Sequence, residues 1–179
     1  EYNYIYRQHY FRGGDSEMVD SLIVLYDHDE EAFTSNGLGA LPDAASCIVT
    51  EERNGEYEVE MEYPLTGSHF HDIQKRRILY VKPNPYDEPQ PFRIYSITNP
   101  INGIVTVHAA HLSYDTSGSI VKLFPADAGS ASAAMSYLKN FSVPSTPFTF
   151  FTNVGKSGTM SVPKPSSIRS LLGGSEGSI

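Results

Sequence analysis

Through the middle of this chain hydrophobic and polar residues alternate with a period of two, and each alternating stretch is interrupted by an Asn-Gly pair. The stretches are SCIVTEERNGEYEVEMEYP around Asn54-Gly55 and PFRIYSITNPINGIVTVHAAHLSYD around Asn102-Gly103. Period-two alternation marks strands with one buried face. Asn-Gly tolerates the positive φ that both central residues of a type I′ turn require, so two antiparallel hairpins are predicted. With two-residue turns, the first pairs Ile48 with Met61, Thr50 with Val59 and Glu52 with Tyr57 on a core face. It leaves Glu51 opposite Glu58 and Val49 opposite Glu60 on the other face. The second places His108 opposite Ile97 and His111 opposite Ile94, with the two histidines on opposite faces because they stand three residues apart.

Other elements follow from punctuation of the pattern. SLIVLYD predicts a buried first strand and RILYVKP a later one, whereas TSNGLGALPDA is a loop set by its Gly, Asn and Pro residues. His69 to Arg77 predicts one short helical turn. KPNPYDEPQP carries four prolines, which donate nothing to a ladder, so it is a rigid surface connection. Beyond Pro125 the period changes. Ala133, Met135, Tyr137, Leu138 and Phe141 recur at helical spacing behind a Ser130 cap. SVPSTPFTFFTNVGKSGTMSVPKP returns to short strands, and SSIRSLLGG is a helix capped by Ser166 or Ser167 and stopped at Gly173-Gly174. The predicted fold class is mainly β (α+β). A small antiparallel barrel or sandwich occupies 21–125, and 126–179 begins a second, truncated α+β domain of a longer protein. The Tyr-rich residues 1–20 read in two ways: as an appended extension, with Met18 a candidate internal start, or as a strand YNYIYRQHYF that needs a partner.

Composition narrows the function classes. The 179 residues hold 40% hydrophobic positions, enough for a core, and a formal charge of -8 that opposes a phosphate-binding surface, so no specific nucleic-acid partner is expected. No apolar run approaches the roughly 20 residues that span a bilayer, so no membrane segment is expected, and no signal peptide opens the chain. The single cysteine, Cys47, lies within a strand and reads as a small buried apolar residue in a protein made in a reducing cytoplasm.

Candidate chemistry is sparse. His69, His71 and Asp72 form an H-x-H-D cluster of ligand-competent types, the site that a metal-dependent hydrolase would use. Zinc, however, needs three or four converging ligands, and on a helix His69 and His71 diverge by about 200°. Asp27, His28, Asp29, Glu30 and Glu31 attract cations but read as a solvated turn. GKSG at 155–158 has Phe150 where a phosphate-cradling loop needs glycine, and GGSEGS around Ser175 departs from G-x-S-x-G, so no catalytic residue and no cofactor is assigned. Glu51, Glu58, Glu60 and Glu62 form an acidic interaction surface that is solvated, relieved by a bulge, or met by a basic neighbour.

LYDHDEEAFTSNGLGALPDAASCIVTEERNGEYEVEMEYP, KPNPYDEPQPFRIYSITNPINGIVTVHAAHLSYD and SVPKPSSIRSLLGGSEGSI resemble the N-terminal region of the minor structural proteins of siphophages and prophages of Gram-positive bacteria. That family is also called the prophage endopeptidase tail or tail-associated lysin family. The resemblance runs from Ser21 to Ile179 and implies a domain similar to phage baseplate hubs, which trimerises into a ring at the tail tip. It further implies a distal tail protein and the tape-measure protein as partners, and any peptidase or lysin activity in modules C-terminal to Ile179. On that basis this region is not itself an enzyme.

Overall fold

The computed structural model describes residues 6–9, 22–52, 55–84, 86–123 and 129–173, with Tyr6–His9 described by its backbone. In chain order these form β1 (Tyr6–His9), β2 (Val24–Tyr26), β3 (Gly39–Ala40), β4 (Ser46–Glu51), β5 (Tyr57–Pro64), β6 (Ile78–Val81), β7 (Gln90–Ile97), β8 (Ile104–His111) and β9 (Ile120–Val121). There follow α1 (Ala131–Asn140), β10 (Ser142–Val143), β11 (Ser166–Ser167) and α2 (Ile168–Leu171), with 3₁₀ turns at Phe70–Asp72 and Leu112–Gly118. The chain divides into two compact units, Glu1–Leu112 and Ser113–Ile179. The boundary read from composition lay at Pro125, which is outside the described residues. The contact boundary falls earlier because β9 pairs with β10 and β11 of the second unit.

The first unit is mainly β, as the alternating pattern requires. Its strands make one antiparallel sheet in the order β1-β4-β5-β8-β7-β6-β2-β3, curled into a half-barrel. The concave face is a continuous core of sixteen buried residues that includes Leu25, Cys47, Val49, Val59, Met61, Tyr63, Leu79, Phe92, Ile94 and Val107. Full burial of such a side chain contributes about 1.5–3 kcal/mol, so this face dominates the stability of the unit. The buried first strand, the RILYVKP strand and the short helical turn lie where they were expected. Part of the 34–44 loop makes β3, where Gly39 adopts φ +141°.

The first hairpin corrects the expected register by one residue. Cys47 pairs with Met61, Val49 with Val59 and Glu51 with Tyr57, while Ile48 faces Glu60 and Thr50 faces Glu58. Asn54 lies outside the described residues. Glu52 N donates to Glu56 O at 2.8 Å and Gly55 N to Glu52 O at 3.0 Å, so three residues, not two, connect the strands. A one-residue slip turns every side chain over. The slip is favoured here because it buries Cys47 and Val49, and it also removes the direct Glu51/Glu58 opposition.

At the second hairpin the turn is as expected. Ile101 and Ile104 bond each other at 2.9 and 3.0 Å around Asn102 (φ 52°) and Gly103 (φ 79°), both left-handed. The register then drifts. Ile97 pairs with Val107, Ser96 with His108, Ile94 with Ala109 and Phe92 with His111, with a bulge between Ile94 and Ser96. His108 and His111 therefore face Ser96 and Phe92, not Ile97 and Ile94.

The second unit is smaller. Val121, Leu138, Val162 and Ile168 form its buried cluster. Ser130 Oγ accepts from Ala133 N at 3.2 Å to start α1, and Ser167 Oγ accepts from Ser170 N at 3.1 Å to start α2. Gly173 takes φ 84° after α2, while Gly174 is outside the described residues. The strands expected across 142–165 are confined to β10. Pro144, Pro147 and a run of small polar residues leave 144–161 without helix or strand, with Phe151 90% exposed.

Candidate interaction surface

Strand β5 alternates Glu58, Glu60 and Glu62 with Val59, Met61 and Tyr63, so burying the apolar set forces three carboxylates onto the convex face of the sheet. Successive members are about 6.8 Å apart at strand rise, and their mutual repulsion is about 0.6 kcal/mol per pair in bulk water. Each meets a polar side chain from a different strand, two from the neighbours β4 and β8 and one from β7 beyond β8. Tyr95 Oη of β7 donates to Glu58 Oε2 at 2.7 Å, His108 Nδ1 of β8 lies 3.7 Å from Glu60 Oε2, and Ser46 Oγ of β4 donates to Glu62 Oε2 at 3.1 Å. Tyr95 and His108 stack, with centroids 6.2 Å apart and planes at 29°. The result is an acidic row edged by an aromatic shelf, with Tyr95 50% exposed.

Partial burial, with help from the Glu58 hydrogen bond and the nearby Glu56 and Glu60 charges, pushes the Tyr95 hydroxyl up to about 12. It stays protonated and donating at any physiological pH.

Glu51 does not join this row. It has the parity of Cys47 and Val49, pairs with Tyr57, and its Oε2 accepts from Asn84 Nδ2 at 3.4 Å. Asn84 is buried in the proline-rich connection, where its Oδ1 accepts from Tyr86 N at 2.9 Å and Asp87 N at 3.0 Å. Glu51 thus ties that connection to the rim of the core. Nearby, His111 stacks on Tyr57 at 4.5 Å and meets Phe92 at 5.5 Å, so the two β8 histidines do occupy opposite faces.

The H-x-H-D cluster is split. His69 Nδ1 and Asp72 Oδ2 come within 3.1 Å, and the His69 ring packs against Gly39, where an added Cβ would meet it at 2.6 Å. Asp72 is further engaged by Arg77, whose guanidinium donates to the Asp72 carbonyl and lies 3.6 Å from its carboxylate. His71 stands apart and exposed, edge-on to Phe70 at 5.4 Å. The three side chains expected of a hydrolase site therefore do not converge, because the 3₁₀ turn points His71 away from the other two. In the charged turn after β2, Asp27, His28 and Asp29 bring ligand-type atoms within 4.8 Å of one another. Asp27 is already engaged: His28 N donates to it at 2.7 Å and Arg77 Nε lies 3.8 Å away. Glu30 turns back to accept from Ala32 N and Phe33 N.

Cys47 is fully buried, and burial raises its thiol to about 12, which removes it as a nucleophile. No helix among the described residues is long and apolar enough to cross a membrane. Comparison with protein-family models, curated proteins and solved structures returned no match.

Sequence reasoning missed Tyr95. The signal was present in the change of apolar phase from Phe92 and Ile94 to Ile97, the mark of an inserted residue.

Proposed function

We propose that this chain is a structural module of a phage or prophage tail tip, a subunit of the hub ring that closes the tail tube and carries host-interacting modules beyond it. The carrying observation is where the resembling stretches fall. SCIVTEERNGEYEVEMEYP supplies β4 and β5, and PFRIYSITNPINGIVTVHAAHLSYD supplies β7 and β8. Those four strands are adjacent at the centre of the sheet. Two of the three resembling stretches thus contain the central scaffold of the sheet, as suits a protein that works by shape and neighbours. In this reading three copies form the ring, with the distal tail protein above and the tape-measure end within. The Glu58, Glu60 and Glu62 row faces the lumen and repels the phosphates of the passing genome.

Antibodies raised against the purified chain test this directly. They should decorate the tail tip of particles induced from the encoding strain, and light scattering should give a three-subunit mass for the assembled ring. Particles labelled elsewhere or nowhere would refute the assignment. Unchanged DNA ejection after Glu58, Glu60 and Glu62 are all replaced by Lys would refute the lumen role alone.

A further inference from the structure

The N-terminal strand sits in an unusual place in the sheet. β1 pairs with β4 through Tyr6↔Glu51, Arg7↔Thr50, Gln8↔Val49 and His9↔Ile48. Its successor in the chain, β2, lies six strand positions away, near the opposite end of the same sheet. Six spacings are about 29 Å along the sheet, whereas the 14 residues from 10 to 23 reach about 46 Å when extended. The length of the connection therefore does not dictate which copy's β4 receives β1. What β1 covers is four residues, Ile48 to Glu51, of the β4 edge, which would otherwise present a row of unpaired backbone groups.

We infer that Tyr6–His9 is an exchangeable strand which pairs with β4 of a second copy of this chain in the same antiparallel register as with its own. The exchange adds no new interface, since each copy gives one strand and receives one. Its free-energy difference from the closed monomer is small, and it shifts toward the exchanged form as local concentration rises. Head-to-tail exchange links identical subunits, which extends to a ring if the rotation closes. The inference rests on the sheet topology and stands whether or not the chain belongs to a tail.

Cysteine pairs across the β1/β4 ladder read the exchange. Arg7→Cys and Thr50→Cys are introduced into separately tagged chains that are co-expressed and oxidised. A second set, Tyr6→Cys with Glu51→Cys, samples the neighbouring position, since hydrogen-bonded and non-hydrogen-bonded pairs alternate along an antiparallel ladder. Native Cys47 is fully buried and stays out of the reaction. A reductant-sensitive band joining the two tags is expected, with a fraction that increases with protein concentration. Removal of residues 1–20 should return the apparent mass in light scattering to that of a single chain. If both double variants, carrying each pair on one chain, close only within themselves while the mixed single variants never join, the exchange is refuted. Failure of every pair to close refutes it as well, because β1 would then not occupy β4. Strand exchange with unlabelled tail tips overturns the tail assignment alone, and labelled tips without exchange overturn this inference alone.

Discussion

The two units of this chain reach order by different means. The first has a sixteen-residue buried core, most of it contributed by paired strands. The second has a buried hydrophobic cluster of four residues, two capped helices and a stretch, 144–161, without regular backbone pairing. Cross-strand pairing over eight strands makes the first unit cooperative. The second depends on a few contacts around Leu138, so its stability is local.

The largest test of that contrast is Phe92→Ala. Phe92 is fully buried between Tyr57 and His111, and its truncation should cost about 3–5 kcal/mol and unfold the first unit as a whole. A single lost calorimetric transition confirms it, while stepwise loss of strands breaks the comparison. Leu138→Ala comes next, at about 2–5 kcal/mol. It should make the second unit protease-sensitive while the strand circular dichroism of the first persists. Ser130→Ala removes the α1 cap and should cost about 1 kcal/mol, seen as a small drop in the denaturant midpoint of the second unit only.

The smallest effect is at high pH. The folded hydroxyl of Tyr95 ionises near 12 against an ordinary 10, so its stabilising contribution is complete below pH 10 and is lost as pH rises through 12. Tyr95→Phe should flatten the pH dependence of stability in that window and leave neutral-pH stability within about 1 kcal/mol. An unchanged alkaline slope would show that other hydroxyls govern it.

Much of this architecture was legible from residue order. Val24–Tyr26, the Asn102-Gly103 turn and the caps at Ser130 and Ser167 each depend on local chemistry that a short window contains. Register was not legible, because it depends on which face finds a core. The Asn54-Gly55 signal implied a two-residue loop, yet burying Cys47 and Val49 against Met61 and Val59 outweighed the turn preference. The acidic surface was read with Glu51 included for the same reason: the slip sends Glu51 to the Tyr57 side. Convergence of side chains distant in sequence, such as Tyr95 with Glu58 or Asn84 with Glu51, has no local signature.

One residue in β7 is surplus to the ladder, since Ile94 and Ser96 face consecutive residues of β8 and Tyr95 has no opposite number. Excising it would leave Phe92, Arg93, Ile94, Ser96 and Ile97 in strict in-out alternation, with every core side chain in place. The aromatic that grips Glu58 is therefore an insertion separable from the scaffold: shortening the strand by one would strip the convex face of its shelf while the half-barrel keeps its phase.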